Sequence, residues 1–124
     1  MRDLRSLDVS PGPDCQEIPD ASSLARAIGV AYVLEGSTLG GRYILSRLPP
    51  AIAAVRGTAT AFLEGYGVAT GDLWRGFGAI VERTITSDVA AAEAVAGARD
   101  AFARLVGWLA RFEHRATGEM RGIA

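Results

Sequence analysis

Gly29-Val30-Ala31-Tyr32-Val33-Leu34-Glu35-Gly36-Ser37-Thr38-Leu39-Gly40-Gly41-Arg42 lies inside a proline-free run from Ser22 to Leu48. Apolar residues recur there at helical spacing, at Leu24, Ala27, Ile28, Ala31 and Leu34, so the run reads as one long helix. Asp20 and Ser22 are candidate N-caps, and Pro49-Pro50 ends the run. The difficulty is glycine. Each interior glycine costs about 1 kcal/mol relative to alanine, so Gly29, Gly36, Gly40 and Gly41 together cost roughly 4 kcal/mol. A whole domain is typically stable by only about 5–15 kcal/mol, so some other interaction must offset the loss. At 100° per residue Gly29, Gly36 and Gly40 share one face. Three physical readings compete: close packing of a second helix, a kink, or the close approach of a flat ligand to exposed backbone. The residues alone leave all three open.

Outward from this helix the chain stays helical. Met1 to Leu7 can form a short helix, and Ser10 to Asp20, with Pro11, Gly12, Pro13 and Pro19, reads as a loop. After Pro50 a second stretch runs to Glu64 with Ile52, Val55, Ala59, Phe62 and Leu63 inward, and Gly57 and Thr58 divide it. Gly65 to Gly71 is a turn. Asp72 is the expected cap of a third helix with Leu73, Trp74, Phe77, Ile80 and Val81 inward. Thr84 to Ser87 connect to a final helix from Asp88 to about Gly118, with Val95, Ala98, Phe102, Leu105, Leu109 and Phe112 at steps of three and four. No alternating strand pattern occurs. The expected fold is all-α: an N-terminal short helix and loop over 1–20, one helical domain over 21–118 and a tail over 119–124.

Composition narrows the chemistry. Apolar residues form 49% of the 124 and charged residues 22%, which fits a globular chain rather than a disordered one. The net charge of -1, with both signs interspersed, gives no basic stripe for nucleic acid. Every basic residue other than His114 is Arg; without Lys there is neither a Walker-type phosphate loop nor Schiff-base chemistry. The single cysteine, Cys15, supports neither an internal disulfide nor a multi-cysteine metal site. Arg2, Asp3 and Arg5 interrupt any leader-like apolar run, and no apolar window of about 20 residues is free of charge. A cytoplasmic location with no membrane partner is the expectation.

The Ala31-Tyr32-Val33-Leu34-Glu35-Gly36-Ser37-Thr38-Leu39-Gly40-Gly41 string resembles the distal-helix signature of bacterial heme oxygenases, especially the type associated with bacteriophytochromes. Phe62-Leu63-Glu64-Gly65-Tyr66-Gly67, Leu73-Trp74-Arg75-Gly76-Phe77 and the helix from Ala98 to Leu109 are similar to later segments of that family, so the likeness covers about residues 21–112. The resemblance implies a multi-helix bundle with a kinked distal helix. Heme would serve as both substrate and cofactor, cleaved with O2 to biliverdin, CO and iron. An electron donor such as ferredoxin or ascorbate and a link to a bacteriophytochrome are implied as partners. It also implies that Gly36, Gly40 and Gly41 are the distal glycines that press backbone onto the heme face. Ser37 stands where many members have an aspartate that organises distal water; a serine hydroxyl can donate and accept hydrogen bonds but holds no charge. Arg75 falls where the family has a basic residue near the heme propionates, and Arg pairs well with carboxylates. Tyr32, Glu35 and Arg42 read as helix-surface or packing residues.

One departure is consequential. The family's iron ligand is a histidine on a helix preceding this one, and the only histidine here, His114, stands near the C-terminus between Glu113 and Arg115. Such a residue reads as a solvated histidine favoured by the helix dipole. The expectation is therefore a bundle truncated at its N-terminus, with no assigned iron ligand. The alternatives to turnover are heme or tetrapyrrole binding alone, or a helical interaction module. Loss of a covering helix would expose an apolar wall, a candidate homodimer interface.

Overall fold

The computed structural model describes residues 2–12, 14–49 and 59–121, with 112–121 described by backbone alone. The expected inner face at Ile52 and Val55, the division at Gly57 and Thr58, and the side chains of Phe112 and His114 lie outside the described residues. The described residues form helices and no strand: α1 (Arg2–Ser6), α2 (Leu24–Arg47), α3 (Ala61–Glu64), a 3-10 turn (Gly67–Ala69), α4 (Thr70–Thr84) and α5 (Asp88–Arg121). The all-α expectation holds.

Several boundaries differ from the sequence reading, each for a local reason. Ser23 rather than Asp20 or Ser22 caps α2: its Oγ accepts the Arg26 N–H at 3.2 Å. Asp20 instead accepts the Ser22 N–H at 2.9 Å, closing a turn ahead of the helix. Asp72 does not cap α4, which starts two residues earlier out of the 3-10 turn; Asp72 lies in the first turn and pairs with Arg75. Helix α5 continues past Gly118 to Arg121. The bend expected at Gly36–Gly41 makes no break in α2. There the Ser37 and Thr38 hydroxyls donate to the Leu34 and Glu35 carbonyls, both at 2.6 Å, so they use local backbone acceptors without ending the helix. The bend in the helical path falls at Gly65–Tyr66, where Gly65 takes φ 55°.

The chain divides into two compact units, and the division falls within α2. The first unit comprises Met1–Pro13 and Leu34–Thr84. In it Asp3 of α1 supplies the cap that α3 lacks locally: its two carboxylate oxygens accept the Ala61 N–H at 2.9 Å and the Phe62 N–H at 2.7 Å. Those bonds, Phe62 first, hold the Asp3 carboxyl below its ordinary range. The Thr70 hydroxyl, fully buried, donates to the Gly67 carbonyl at 2.8 Å and fixes the start of α4.

The second unit comprises Asp14–Val33 and Ile85–Ala124. Its centre is a backbone-to-backbone crossing of α2 and α5. A Cβ on Gly29 would stand 2.8 Å from the Ala98 nitrogen and closer still to the Ala94 carbonyl oxygen. A Cβ on Gly97 would stand 2.9 Å from the Arg26 Cα and closer to its carbonyl oxygen. Each glycine therefore seats on the other helix's backbone, which settles Gly29 as a packing residue. The buried side chains of this half of α2 are Ala25, Ile28 and Val33, a stripe centred on Gly29. Leu24 and Leu34, expected inward, lie on the opposite side and are 68% and 64% exposed. The sequence reading centred the face on the largest apolar residues, whereas the crossing centres it on the smallest.

A row of charges ties residues 17–26 to α5. The Asp20 N–H donates to Asp100 Oδ2 at 2.8 Å, and Arg104 Nε donates to the same oxygen at 2.9 Å. Arg26 pairs with Asp20 at 2.9 Å and Arg111 with Glu17 at 2.5 Å. The Asp20 N–H first, then Arg104, lowers the pKa of Asp100. A depressed carboxyl stabilises the fold above its unfolded-state pKa, and that contribution disappears as pH falls through the folded-state value. The Asp20 amide contact should thus hold from neutral pH down into the ordinary carboxylate range and release only below it. An amide NMR titration reads this, and Asp100→Asn should remove the part of the Asp20 amide's response that comes from Asp100, leaving only the response to the Asp20 carboxyl itself.

Candidate functional site

Four of the five candidate site residues come from one and a half turns of α2, and the structure gives them different surroundings. Gly36 faces the Trp74 indole of α4, whose nearest atoms would lie 3.7 Å from a Cβ, an ordinary contact. Trp74 is in turn 5.8 Å from Phe77, ring centre to ring centre. Gly41 is buried, and its missing Cβ would fall 2.6 Å from the Leu63 carbonyl oxygen and 3.1 Å from the Leu63 Cα. It is a packing glycine, like Gly29. Gly40 is exposed and meets nothing within 4 Å in the direction of a Cβ.

This difference follows from where each residue stands on α2 within its own unit. The buried line there runs through Gly41 and Leu45, and at 100° per residue Gly40 lies about 100° round the helix from Gly41. Packing does not explain it.

Ser37 is exposed, and its hydroxyl hydrogen is spent on the Leu34 carbonyl. Its oxygen lone pairs remain as acceptors, so it can receive a hydrogen bond but offers no proton without breaking that bond. Arg75 follows Trp74 on α4, so the indole that lies on Gly36 brings the guanidinium's helix to the same unit as the glycines. The Arg75 side chain is 77% exposed and pairs with Asp72. An exposed pair of this kind is worth about 0–1 kcal/mol, so exchanging Asp72 for another carboxylate carries little penalty. Cys15 is exposed with its thiol turned to the Glu17 carbonyl at 3.9 Å, and among the described residues no cluster of three or more His, Cys, Asp or Glu could hold a metal ion.

Glu35 and Arg42, read from sequence as helix-surface or packing residues, both contact the turn after α3. The Tyr66 hydroxyl donates to Glu35 Oε1 at 3.1 Å, a bond that with the Glu35 charge raises the Tyr66 pKa. Arg42 Nη1 donates to the Gly67 carbonyl at 2.5 Å. Glu35, Thr38 and Arg42 recur at steps of three and four, so the three contacts with the turn after α3 come from one side of the helix. Gly97 also escaped notice, because a lone glycine in an alanine-rich helix has no pattern around it.

The two kinds of glycine should separate on substitution. Gly29→Ala, Gly41→Ala and Gly97→Ala each drive a methyl into backbone and should destabilise by about 1–3 kcal/mol. Gly40→Ala meets open space and should stabilise by up to about 1 kcal/mol. Urea midpoints of the four variants check the signs; a loss at Gly40 equal to that at Gly41 would show that Gly40 is also packed.

The comparisons with known proteins fit this arrangement. A family profile described as Heme oxygenase matches residues 7–111. A curated heme oxygenase of Xanthomonas campestris pv. campestris (strain 8004) is 40% identical over 90 residues, which cover 68% of this chain and 50% of the relative. The chain thus spans about half the length of that relative. No solved structure matches. No helix among the described residues is long and apolar enough to cross a membrane. With the profile running from the segment after α1 deep into α5, through Gly29, Gly36, Gly40, Gly41 and Gly97, the chain belongs to the heme oxygenase family.

Proposed function

We propose that the chain binds heme against the open face of α2 at Gly40, as part of a protein that cleaves heme to biliverdin, CO and iron with O2 and an external reductant. The observation that carries the reading is Gly40 itself. It is an interior helical glycine with no packing partner, it is one residue from a packed glycine, and it lies inside the family match. A missing Cβ at that point lets a flat ring lie closer to the helix than any side chain would permit. Heme, as substrate, supplies the iron and the ring carbon that is oxidised.

The chain's own residues would hold and orient it. Gly40 admits the ring plane, and Gly36 together with the Trp74 indole forms the adjoining wall. Arg75 would exchange Asp72 for a propionate. Ser37 accepts a hydrogen bond from distal water without supplying charge, since its own proton is held by Leu34. Within the family, the Ala31–Gly41 string favours the bacteriophytochrome-associated type, with a small reductant or ferredoxin as electron source. Gly40→Leu should raise the urea midpoint, as leucine is a good helix former, while weakening hemin binding by an order of magnitude or more. Soret titration reads the second effect. A raised midpoint with undiminished hemin affinity would falsify the ligand-face assignment.

No histidine stands ahead of α2 in these 124 residues, and the one histidine among them, His114, is on α5. Heme cleavage depends on iron held at a fixed height against the distal backbone, and a displacement of about 1 Å can reduce a rate about a hundredfold. The 124-residue chain should therefore bind hemin yet form biliverdin slowly with ascorbate. Fusion in frame to a family-type helix carrying the proximal histidine should restore turnover. Rapid biliverdin formation by the 124 residues alone would contradict this, and His114 would be the first residue to replace.

A further inference from the structure

Three residues on successive turns of α2 each take one residue of the turn that follows α3. Thr38 lies against Gly65, where a Cβ would stand 3.1 Å from the Thr38 Cβ; Glu35 accepts the Tyr66 hydroxyl at 3.1 Å; Arg42 donates to the Gly67 carbonyl at 2.5 Å. Gly65 and Gly67 take φ 55° and 59°, backbone that other residues rarely adopt, so the turn is shaped to meet the helix residue by residue. We infer that Glu35, Thr38 and Arg42 are positioning residues: they fix the rotation of α2 about its own axis and so determine that Gly40 faces the ligand. The inference rests on the heme-binding reading above.

Geometry gives the clamp this consequence. Glu35, Thr38 and Arg42 lie within about 60° of one another round the helix, and Gly40 lies about 140° from Glu35. A helix with a glycine on several sides has little side-chain bulk to resist rolling under a neighbour. Rolling by one residue, about 100°, would carry Gly40 well away from the ligand and offer a side chain in its place. Gly41 on the Leu63 backbone restrains the same roll sterically. The polar clamp adds direction, because a hydrogen bond weakens steeply once donor and acceptor are misaligned. Tyr66 and Arg42 are both exposed, so their bonds contribute little to global stability and more to the choice among near-equal orientations.

The test uses hemin and the 124-residue chain, reading the Soret absorbance, the circular dichroism induced in the Soret band, and the urea midpoint. Tyr66→Phe/Arg42→Met removes two hydrogen bonds and should lower hemin affinity by at least about fivefold, the worth of one net hydrogen bond, and change the sign or amplitude of the induced band at saturation. Its urea midpoint should move little. Glu35→Ala should change the band in the same way, whereas Glu35→Gln, which keeps an acceptor for the Tyr66 hydroxyl, should retain the original band. Variants that bind hemin with unchanged affinity and an unchanged band would overturn the inference, as would variants that lose only urea stability. A saturable Soret shift in the unaltered chain is the separate sign that the heme-binding reading holds; its absence would remove both.

Discussion

Everything described above depends on the approach of one backbone to another without an intervening Cβ. Gly29 rests on the backbone of α5, Gly97 on that of α2, and Gly41 on Leu63. Such contacts exclude every other amino acid more strictly than an apolar core does, because backbone cannot change rotamer to make room. Among the described residues the buried apolar ones are Ala25, Ile28, Val33, Leu45 and Ala101, none of them aromatic, while Phe62, Phe102 and Leu109 are 82%, 52% and 47% exposed.

The same constraint separates structure from function along α2. Where a neighbouring backbone covers a glycine, the glycine is needed to fold. Gly40, with open space where its Cβ would stand, carries helical glycine's energetic penalty and has no packing to offset it. The packing reading of the glycine run holds at Gly29 and Gly41, and the ligand reading is the one we propose for Gly40.

Much of this was legible in the sequence, and the failures have definite causes. The helices were readable from apolar spacing and from Pro49-Pro50, and the family likeness from the string through Gly41. The glycine face was visible, but a face shared by Gly29, Gly36 and Gly40 suggests a shared role, and the structure gives them three different surroundings: backbone, an indole and open space. Only contacts distant in sequence, Ala94 and Ala98 for Gly29 and Trp74 for Gly36, could show that. Leu24 and Leu34 misled because hydrophobicity marks a buried face only when side chains, rather than bare backbone, make the contact. The Asp3 cap on α3 joins residues 58 and 59 positions apart, beyond any local capping pattern. Glu35 and Arg42 were read as helix-surface or packing residues, and a polar stripe does not show from sequence alone which of the two it is.

The central claim is that Gly40, and not its packed neighbours, is where the ligand meets the helix. Hemin is paramagnetic, so amide NMR of the labelled chain during a hemin titration locates it directly. The account predicts early, selective broadening of the Ser37, Gly40 and Ile44 amides on the open side of α2, with the Gly29 and Gly97 amides sharp. Broadening that leaves Gly40 untouched, or that centres on the Gly29–Gly97 crossing, would contradict it.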